Sequence, residues 1–165
     1  MLSDTEPLAV TKAATSKVIL VVEDDGANAE LLMQVLLRET PYQAYLATDG
    51  IAALQLIGHV KPDLFILDYR LPGMNGIQLY DSLHRCGEFK ETPVLMLSAC
   101  LEYYQEEIGS HNLVALAKPF DVDNLLFLIE EVLAHSSDRS FQQPMPVDGR
   151  NEPYAMQDME SNVSN

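Results

Sequence analysis

Apolar and polar positions alternate in blocks between residues 17 and 135, and these blocks predict strands and helices in turn. The continuous run VILVV is typical of a strand that is buried on both faces of a parallel sheet. Similar runs predict five strands, at residues 18–22, 42–48, 64–68, 93–99 and 113–119. Apolar residues at helical spacing predict helices between and after them, over residues 27–39, 50–59, 77–86, 102–109 and 121–135.

The strand–helix units together predict an α/β fold with a doubly wound, five-stranded parallel sheet. Parallel strands joined through helices need right-handed crossovers, which place helices on both faces of the sheet. Ligands of such sheets bind outside the carboxyl ends of the strands, so functional residues are expected where strands end. The apolar residues that mark the helical spacing include Leu31, Leu32, Val35, Leu36, Ile51, Leu54, Leu79, Leu83, Leu125, Leu128, Ile129 and Val132.

The segments on either side of this domain differ from it in composition. Residues 1–16 are mostly small and polar, which predicts a flexible arm. Residues 136–165 contain prolines and few branched aliphatic side chains, which predicts a disordered acidic tail. The sequence therefore predicts one folded domain, over residues 17–135.

Charge and composition exclude several classes of function. The formal net charge is −15 and the ten Lys and Arg residues form no run, which argues against a broad nucleic-acid surface. No apolar stretch approaches the roughly 18 residues that span a bilayer, and no secretory signal begins the chain, so we expect a cytoplasmic protein. Cys86 and Cys100 have no CxxC spacing and the four histidines are scattered, so a zinc site is not expected.

Acidic, hydroxyl and basic side chains occur where the predicted strands end. Several carboxylates at one edge of a sheet repel each other unless a cation lies among them, and oxygen ligands of this kind suit Mg²⁺. A carboxylate nucleophile, a metal, a lysine and a hydroxyl can together hold a phosphoryl group on an aspartate. Taken alone, Asp68 is also compatible with a capping residue, and the acidic run after the first strand with a solvated turn. The residues at the strand ends are Glu23-Asp24-Asp25, Asp68, Ser98 and Lys118.

Four blocks in a fixed order give the chain a family resemblance. VVEDD, LFILDYRLPGMNG, LMLSA and AKPF follow one another at fitting separations over residues 17–135. Together they resemble the response-regulator receiver domain of two-component signalling, which is CheY-like. The resemblance implies a flavodoxin-like (βα)₅ fold with strand order 2-1-3-4-5.

The resemblance also implies a role for each residue at the strand ends. Asp68 would accept the phosphoryl group, and it would share a Mg²⁺ ion (or Mn²⁺) with Asp24, with Glu23 through water, and with the backbone carbonyl of Arg70. Asp25 lies one place past this pair and is expected to begin the next helix.

Two further residues of the family pattern would contact the phosphoryl oxygens. Ser98 stands at the Thr or Ser position of the family, and Lys118 at that of the lysine. The Lys118–Pro119 peptide is expected to be cis, because that bond costs little before proline.

One position departs from the family pattern. Receivers commonly carry Tyr or Phe three residues before the lysine, where this chain has Ala115. The usual aromatic relay is therefore in question, and Tyr103 or Tyr104 on the helix after the fourth strand is a candidate to replace it.

The function implied by the resemblance is that of a stand-alone response regulator. It would take a phosphoryl group from a histidine kinase or phosphotransfer protein and signal through contacts with a downstream protein, without acting as an enzyme in the usual sense. No helix-turn-helix pattern or basic recognition helix follows the domain, so direct nucleic-acid binding is not expected, and a homodimer is left open.

Three other interpretations remain open at this point. A haloacid-dehalogenase-like phosphohydrolase also uses an aspartyl-phosphate, but it usually needs a second aspartate where this chain has Arg70. A receiver-like protein that binds partners without phosphorylation is compatible with Ala115. A flavodoxin-like nucleotide-binding protein is disfavoured, because EDDGANAE after the first strand is not a glycine-rich phosphate loop.

Overall fold

The computed structural model describes residues 16–136, which form alternating strands and helices. The predicted arm and tail therefore lie outside the described residues except at Ser16 and Ser136. A short 3₁₀ turn at Gly87–Phe89 follows the third helix. The elements are β1 Val18–Val22, α1 Gly26–Glu39, β2 Gln43–Ala47, α2 Gly50–Leu56, β3 Leu64–Asp68, α3 Gly76–Arg85, β4 Val94–Ser98, α4 Leu101–Ser110, β5 Val114–Ala117 and α5 Val122–His135.

The five strands form one parallel sheet in the order β2-β1-β3-β4-β5. Neighbouring strands end at nearly the same level, since Val22 lies beside Leu67 and Asp68 lies beside Leu97. The doubly wound fold predicted from the sequence pattern and the strand order implied by the family resemblance are both confirmed. The carboxyl ends of β1, β3, β4 and β5 therefore meet along one edge.

The central strand β3 separates two hydrophobic layers. Phe65 and Leu67 contribute to the layer beneath α2, α3 and α4, whereas Leu64 and Ile66 contribute to the layer beneath α1 and α5. All five residues of β3 are buried, because helices cover both faces of the sheet. The alternation continues to the end of the strand, so that Asp68 and the following Tyr69 point to opposite faces.

Some details differ from the sequence prediction. Leu31 is 44% exposed and Ile51 is 64% exposed, because their neighbours on the same helices, such as Leu32 and Ala53, fill the space against the sheet. The 3₁₀ turn was not predicted, and it buries Phe89 edge-on against the ring of Phe65, with the ring centroids 5.7 Å apart. Spacing alone could not reveal this packing, because three residues are too few to show a period.

Polar side chains fix the starts of four helices. Asp25, Asp49, Asn75 and Asp121 each accept a hydrogen bond from a backbone N–H in the first turn of α1, α2, α3 and α5. The predicted cap at Asp121 is therefore confirmed, and Asp25 caps the start of α1, as its expected place at the beginning of that helix requires. Among residues 16–136, no helix has the length and apolar character that a membrane crossing requires.

Tyr42 links the start of β2 to α5 and gives a first testable prediction. Its hydroxyl donates to Glu130 Oε1 at 2.7 Å, and burial together with this bond raises the pKa of Tyr42 to about 12. We expect Tyr42→Phe to lower the free energy of unfolding in urea by about 1 kcal/mol. Tyr45→Phe, at a 37% exposed position in β2, is the matched control. Equal losses in the two variants would show that the Glu130 contact contributes nothing.

Candidate functional site

Three carboxylates converge at the carboxyl edge of the sheet. Glu23 and Asp24 directly follow β1, and Asp68 is the last residue of the neighbouring strand β3. One oxygen from each side chain lies within 4.8 Å of the other two. Glu23 is 1% and Asp68 7% exposed, whereas Asp24 faces solvent. Two of the three negative charges are therefore removed from bulk water.

Lys118 brings a positive charge into the same cluster. Its ammonium donates to Glu23 Oε2 at 2.5 Å and lies 3.3 Å from Asp68 Oδ1. The residue follows β5, and its backbone N–H donates to the Ser98 carbonyl at 2.8 Å, which anchors the base of the side chain. The Lys118–Pro119 peptide is cis, as expected. The lysine thus reaches from the edge strand to the centre of the site.

Glu23 is held by contacts on both of its carboxylate oxygens. The backbone N–H of Asp25 donates to Oε1 at 3.1 Å, and Lys118 binds Oε2. Burial raises the pKa of Glu23 above its ordinary value, and the nearby charge of Asp68 adds to this effect, while the bonds from Lys118 and Asp25 oppose it. The carboxylate is therefore a fixed and costly charge that depends on its cationic neighbours.

Ser98 ends β4, the strand beside β3, and is fully buried. Its hydroxyl oxygen accepts a hydrogen bond from the backbone N–H of Cys100 at 3.2 Å. The structure thus places Ser98 at the predicted edge, with its hydroxyl engaged by the turn that leads into α4.

The loop after Asp68 is folded back on itself. Arg70 pairs with Asn75 in an isolated antiparallel bridge, and the Gly76 N–H donates to the Tyr69 carbonyl at 2.8 Å. A Cβ atom on Gly76 would fall 2.7 Å from the Asp68 carbonyl oxygen, so only glycine allows this approach of α3 to the strand end. Arg70 itself is exposed.

Tyr69 forms a contact with α4 that sequence reasoning missed. Its hydroxyl donates to Glu107 Oε2 at 2.6 Å, and its ring stacks on Tyr104 with centroids 3.9 Å apart and an interplanar angle of 25°. Burial is the main cause that raises the pKa of Tyr69 well above its ordinary value, and the bond to Glu107 adds to it. The hydroxyl therefore keeps its proton at neutral pH. The sequence shows the tyrosine, but nothing local could indicate its partners.

The position of Ala115 clarifies the departure from the family pattern. Ala115 is buried in the layer that also contains Tyr69, and Tyr104 packs against that layer. Tyr103 is 79% exposed. Of the two candidate tyrosines on α4, only Tyr104 therefore packs next to the residue that follows Asp68.

The chemistry of the donor set fits a hard divalent cation. Among the described residues, Glu23, Asp24 and Asp68 are the one group of three or more acidic, histidine or cysteine side chains close enough to share an ion. All the side-chain donors are carboxylate oxygens, which are typical ligands of Mg²⁺ and Mn²⁺, and the group contains none of the His or Cys ligands that predominate in zinc sites. The exposed Asp24 leaves one side of the group open to solvent.

Comparisons with known proteins show which family this chain resembles. The family described as response regulator receiver domain matches residues 19–130. Sporulation initiation phosphotransferase F of Bacillus subtilis is 27% identical over 114 residues, which cover 69% of this chain and 92% of that protein. The DNA-binding dual master transcriptional regulator RpaA of Synechocystis is 35% identical over 118 residues, which cover 70% of this chain and 48% of that protein.

A solved structure extends the likeness to three dimensions. The response regulator TrrA of Thermotoga maritima, in complex with Mg²⁺ and BeF, has a TM-score of 0.63 and 28% identity, over 70% of this chain and 98% of that one. The chain thus spans nearly all of some relatives and about half of others, such as the Synechocystis regulator.

Proposed function

The chain belongs to the response regulator receiver family, and from this premise we propose that it accepts a phosphoryl group on Asp68 and signals through that modification. The observation that carries the proposal is the cluster itself. A buried carboxylate at the end of the central strand lies 3.3 Å from a lysine ammonium and within 4.8 Å of two further carboxylates. No capping role for Asp68 would need this arrangement.

The transfer is a displacement at phosphorus. An oxygen of Asp68 forms a bond to the phosphorus of the donor, and the bond between phosphorus and the donor atom breaks, so that its electron pair leaves with the donor. With a histidine kinase or phosphotransfer protein as donor, the leaving atom is an imidazole nitrogen, which takes up a proton. The product is an aspartyl-phosphate, and Asp68 is the residue covalently changed.

The neighbouring residues stabilise the charge that this displacement moves. The Lys118 ammonium, already in contact with Asp68, donates a hydrogen bond to a phosphoryl oxygen, and the Ser98 hydroxyl bonds another. Glu23 holds the lysine in place through its 2.5 Å contact. Preorganised donors of this kind are typical of sites where negative charge accumulates on oxygen.

Mg²⁺, with Mn²⁺ as a substitute, fits the same cluster. Asp24, Asp68 and the Arg70 carbonyl would hold the ion directly, and Glu23 would hold it through water. When bound, the ion supplies the positive charge that lets an anionic phosphoryl group approach an aspartate. The donor set of three carboxylates within 4.8 Å is what supports this assignment.

The proposed output is a change in protein contacts and not turnover of a substrate. Receiver domains are generally signalling modules, and the residues proposed here promote only the phosphorylation and dephosphorylation of Asp68. We propose a regulator of the cytoplasm, with residues 17–135 as its phosphorylated domain and a downstream protein as its target.

Incubation of the full chain with acetyl phosphate tests the proposed function. In the presence of MgCl₂ we expect the intact mass to increase by one phosphoryl group, because the site carries both the nucleophile and the groups that stabilise transfer. Replacement of MgCl₂ by EDTA should abolish the adduct, and MnCl₂ should restore it. An unchanged mass in all three conditions would overturn the proposal.

A further inference from the structure

Tyr69 is joined through one peptide bond to the proposed phosphoacceptor and is fixed by backbone hydrogen bonds on both sides. Its N–H donates to the Leu97 carbonyl at 2.8 Å, and its carbonyl accepts from the Gly76 N–H at 2.8 Å. Because the strand alternates, Asp68 faces the site while the Tyr69 ring enters the opposite layer. A shift of the backbone at Asp68 therefore moves this ring as well.

Two side chains of α4 hold the ring from the other side. Tyr104 stacks on it at 3.9 Å, and Glu107, one turn further along the helix, accepts from its hydroxyl at 2.6 Å. Residues three apart lie on the same face of a helix, so one face of α4 provides both contacts. Tyr69 is only 5% exposed between them. The side chains of Tyr69, Tyr104 and Glu107 together form the tyrosine clamp.

The clamp lies in the layer to which β5 contributes only two small side chains, the buried Ala115 and the partly buried Ala117. Ala115 pairs with Met96 of β4 and is buried in the same layer as Tyr69. A methyl group has neither the reach nor the hydrogen-bonding group to bind α4 to the site. The large, oriented contacts between the strand ends and α4 come instead from Tyr69.

We propose that Tyr69 is a positioning residue, through which the tyrosine clamp couples the packing of α4 to the phosphorylation of Asp68. This inference rests on the proposed function, since it concerns the structural consequence of that modification. Close-packed interiors switch between discrete arrangements and do not deform smoothly, so a displaced ring must either carry α4 with it or break the clamp. Coupling of this kind is reciprocal, and the state of α4 therefore also biases the site.

Hydrogen exchange of the backbone amides of Leu101–Ser110 tests the coupling. The full chain is compared in MgCl₂ alone and in MgCl₂ with acetyl phosphate, and the intact mass of the same samples reports the extent of phosphorylation. Tyr69→Phe removes the hydroxyl but keeps the ring, and Tyr104→Leu removes the stack. Glu107→Ala removes the acceptor, whereas Glu107→Gln keeps an acceptor oxygen. Glu106→Ala, at an exposed position beside Glu107, is the matched control.

In the wild-type chain we expect phosphorylation to change the exchange rate of α4 by about fivefold or more. The change should fall below about twofold in Tyr69→Phe, Tyr104→Leu and Glu107→Ala, and it should remain at the wild-type value in Glu107→Gln and Glu106→Ala. If Glu107 affected only the stability of the fold, the change in α4 exchange on phosphorylation would not differ between Glu107→Gln and Glu107→Ala. Tyr69→Phe differs from the native side chain by one oxygen, so it keeps the test informative if a larger truncation fails to fold.

The two proposals fail in different ways. A phosphorylated wild-type chain whose α4 exchange does not change, or changes equally in all the variants, overturns the coupling and leaves the proposed function intact. A wild-type chain that gains no phosphoryl adduct overturns the proposed function, and the coupling with it. The intact-mass measurement distinguishes these outcomes in the same samples.

Discussion

Replacement of Asp68 by asparagine should abolish the phosphoryl adduct that acetyl phosphate and Mg²⁺ produce. The amide cannot act as an anionic nucleophile, and its nitrogen is not a ligand that Mg²⁺ prefers. The substitution nearly preserves volume at a position that is 7% exposed, so the fold should survive. Intact mass of the two proteins, treated side by side, measures the effect.

Asp63→Asn is a suitable control for Asp68→Asn. Asp63 precedes β3 at the opposite end of the strand and accepts hydrogen bonds from the Lys17 side chain and the Val18 backbone N–H. We expect this variant to be phosphorylated as the wild type is. An adduct that persists in Asp68→Asn would show that another residue is modified and would contradict the assignment.

Replacement of Lys118 by methionine should have the second large effect, on both stability and phosphorylation. Removal of the ammonium leaves the buried Glu23 and Asp68 carboxylates without their cationic partner, which we expect to cost about 3 kcal/mol of unfolding free energy in EDTA at neutral pH. The rate of phosphorylation by acetyl phosphate should fall about 100-fold, because one preorganised donor to the phosphoryl oxygens is lost. Urea denaturation and time-resolved intact mass measure the two effects.

The stability loss in Lys118→Met should also depend on pH in a defined direction. The pKa of Glu23 is raised in the folded chain, so its contribution to stability is fully present below its ordinary value of 4.5 and is lost as the pH rises through the folded-state pKa. Without the lysine that opposes this shift, the folded-state pKa rises further. The difference in unfolding free energy between wild type and variant should therefore grow as the pH rises above 4.5.

Lys17→Met is the control that distinguishes the loss of the buried Lys118 charge from a general loss of surface charge. Lys17 lies 3.3 Å from Asp63 with half of its side chain exposed, so its removal should cost no more than about 1 kcal/mol. It should leave the rate of phosphorylation unchanged. Equal stability losses in Lys17→Met and Lys118→Met, or a difference that does not change with pH, would contradict the buried role of Lys118.

The sequence by itself was sufficient for the sheet and for which residues reach its edge. The apolar runs of β1, β3 and β4 are continuous, as expected for strands that are buried on both faces, and parallel topology then requires their carboxyl ends to meet. Asp68 and Lys118 each follow such a run directly, so their place depended only on where a strand ends. The helix start at Asp25 and the cap at Asp121 are equally local, because the bonding partner is a backbone N–H within the next turn.

The tertiary structure alone decided the contacts that join distant parts of the chain. The bond from Lys118 to Glu23 spans 95 residues, and that from Tyr69 to Glu107 spans 38. Helical spacing left two faces of α4 as alternatives, and only the packed helix shows that Tyr104 turns inward while Tyr103 remains in solvent. Periodicity within one segment fixes which residues share a face, but the position of that face against another element depends on the packing of the whole domain. For that reason the group of side chains at the strand ends could be predicted from the sequence, whereas the tyrosine clamp behind it could not.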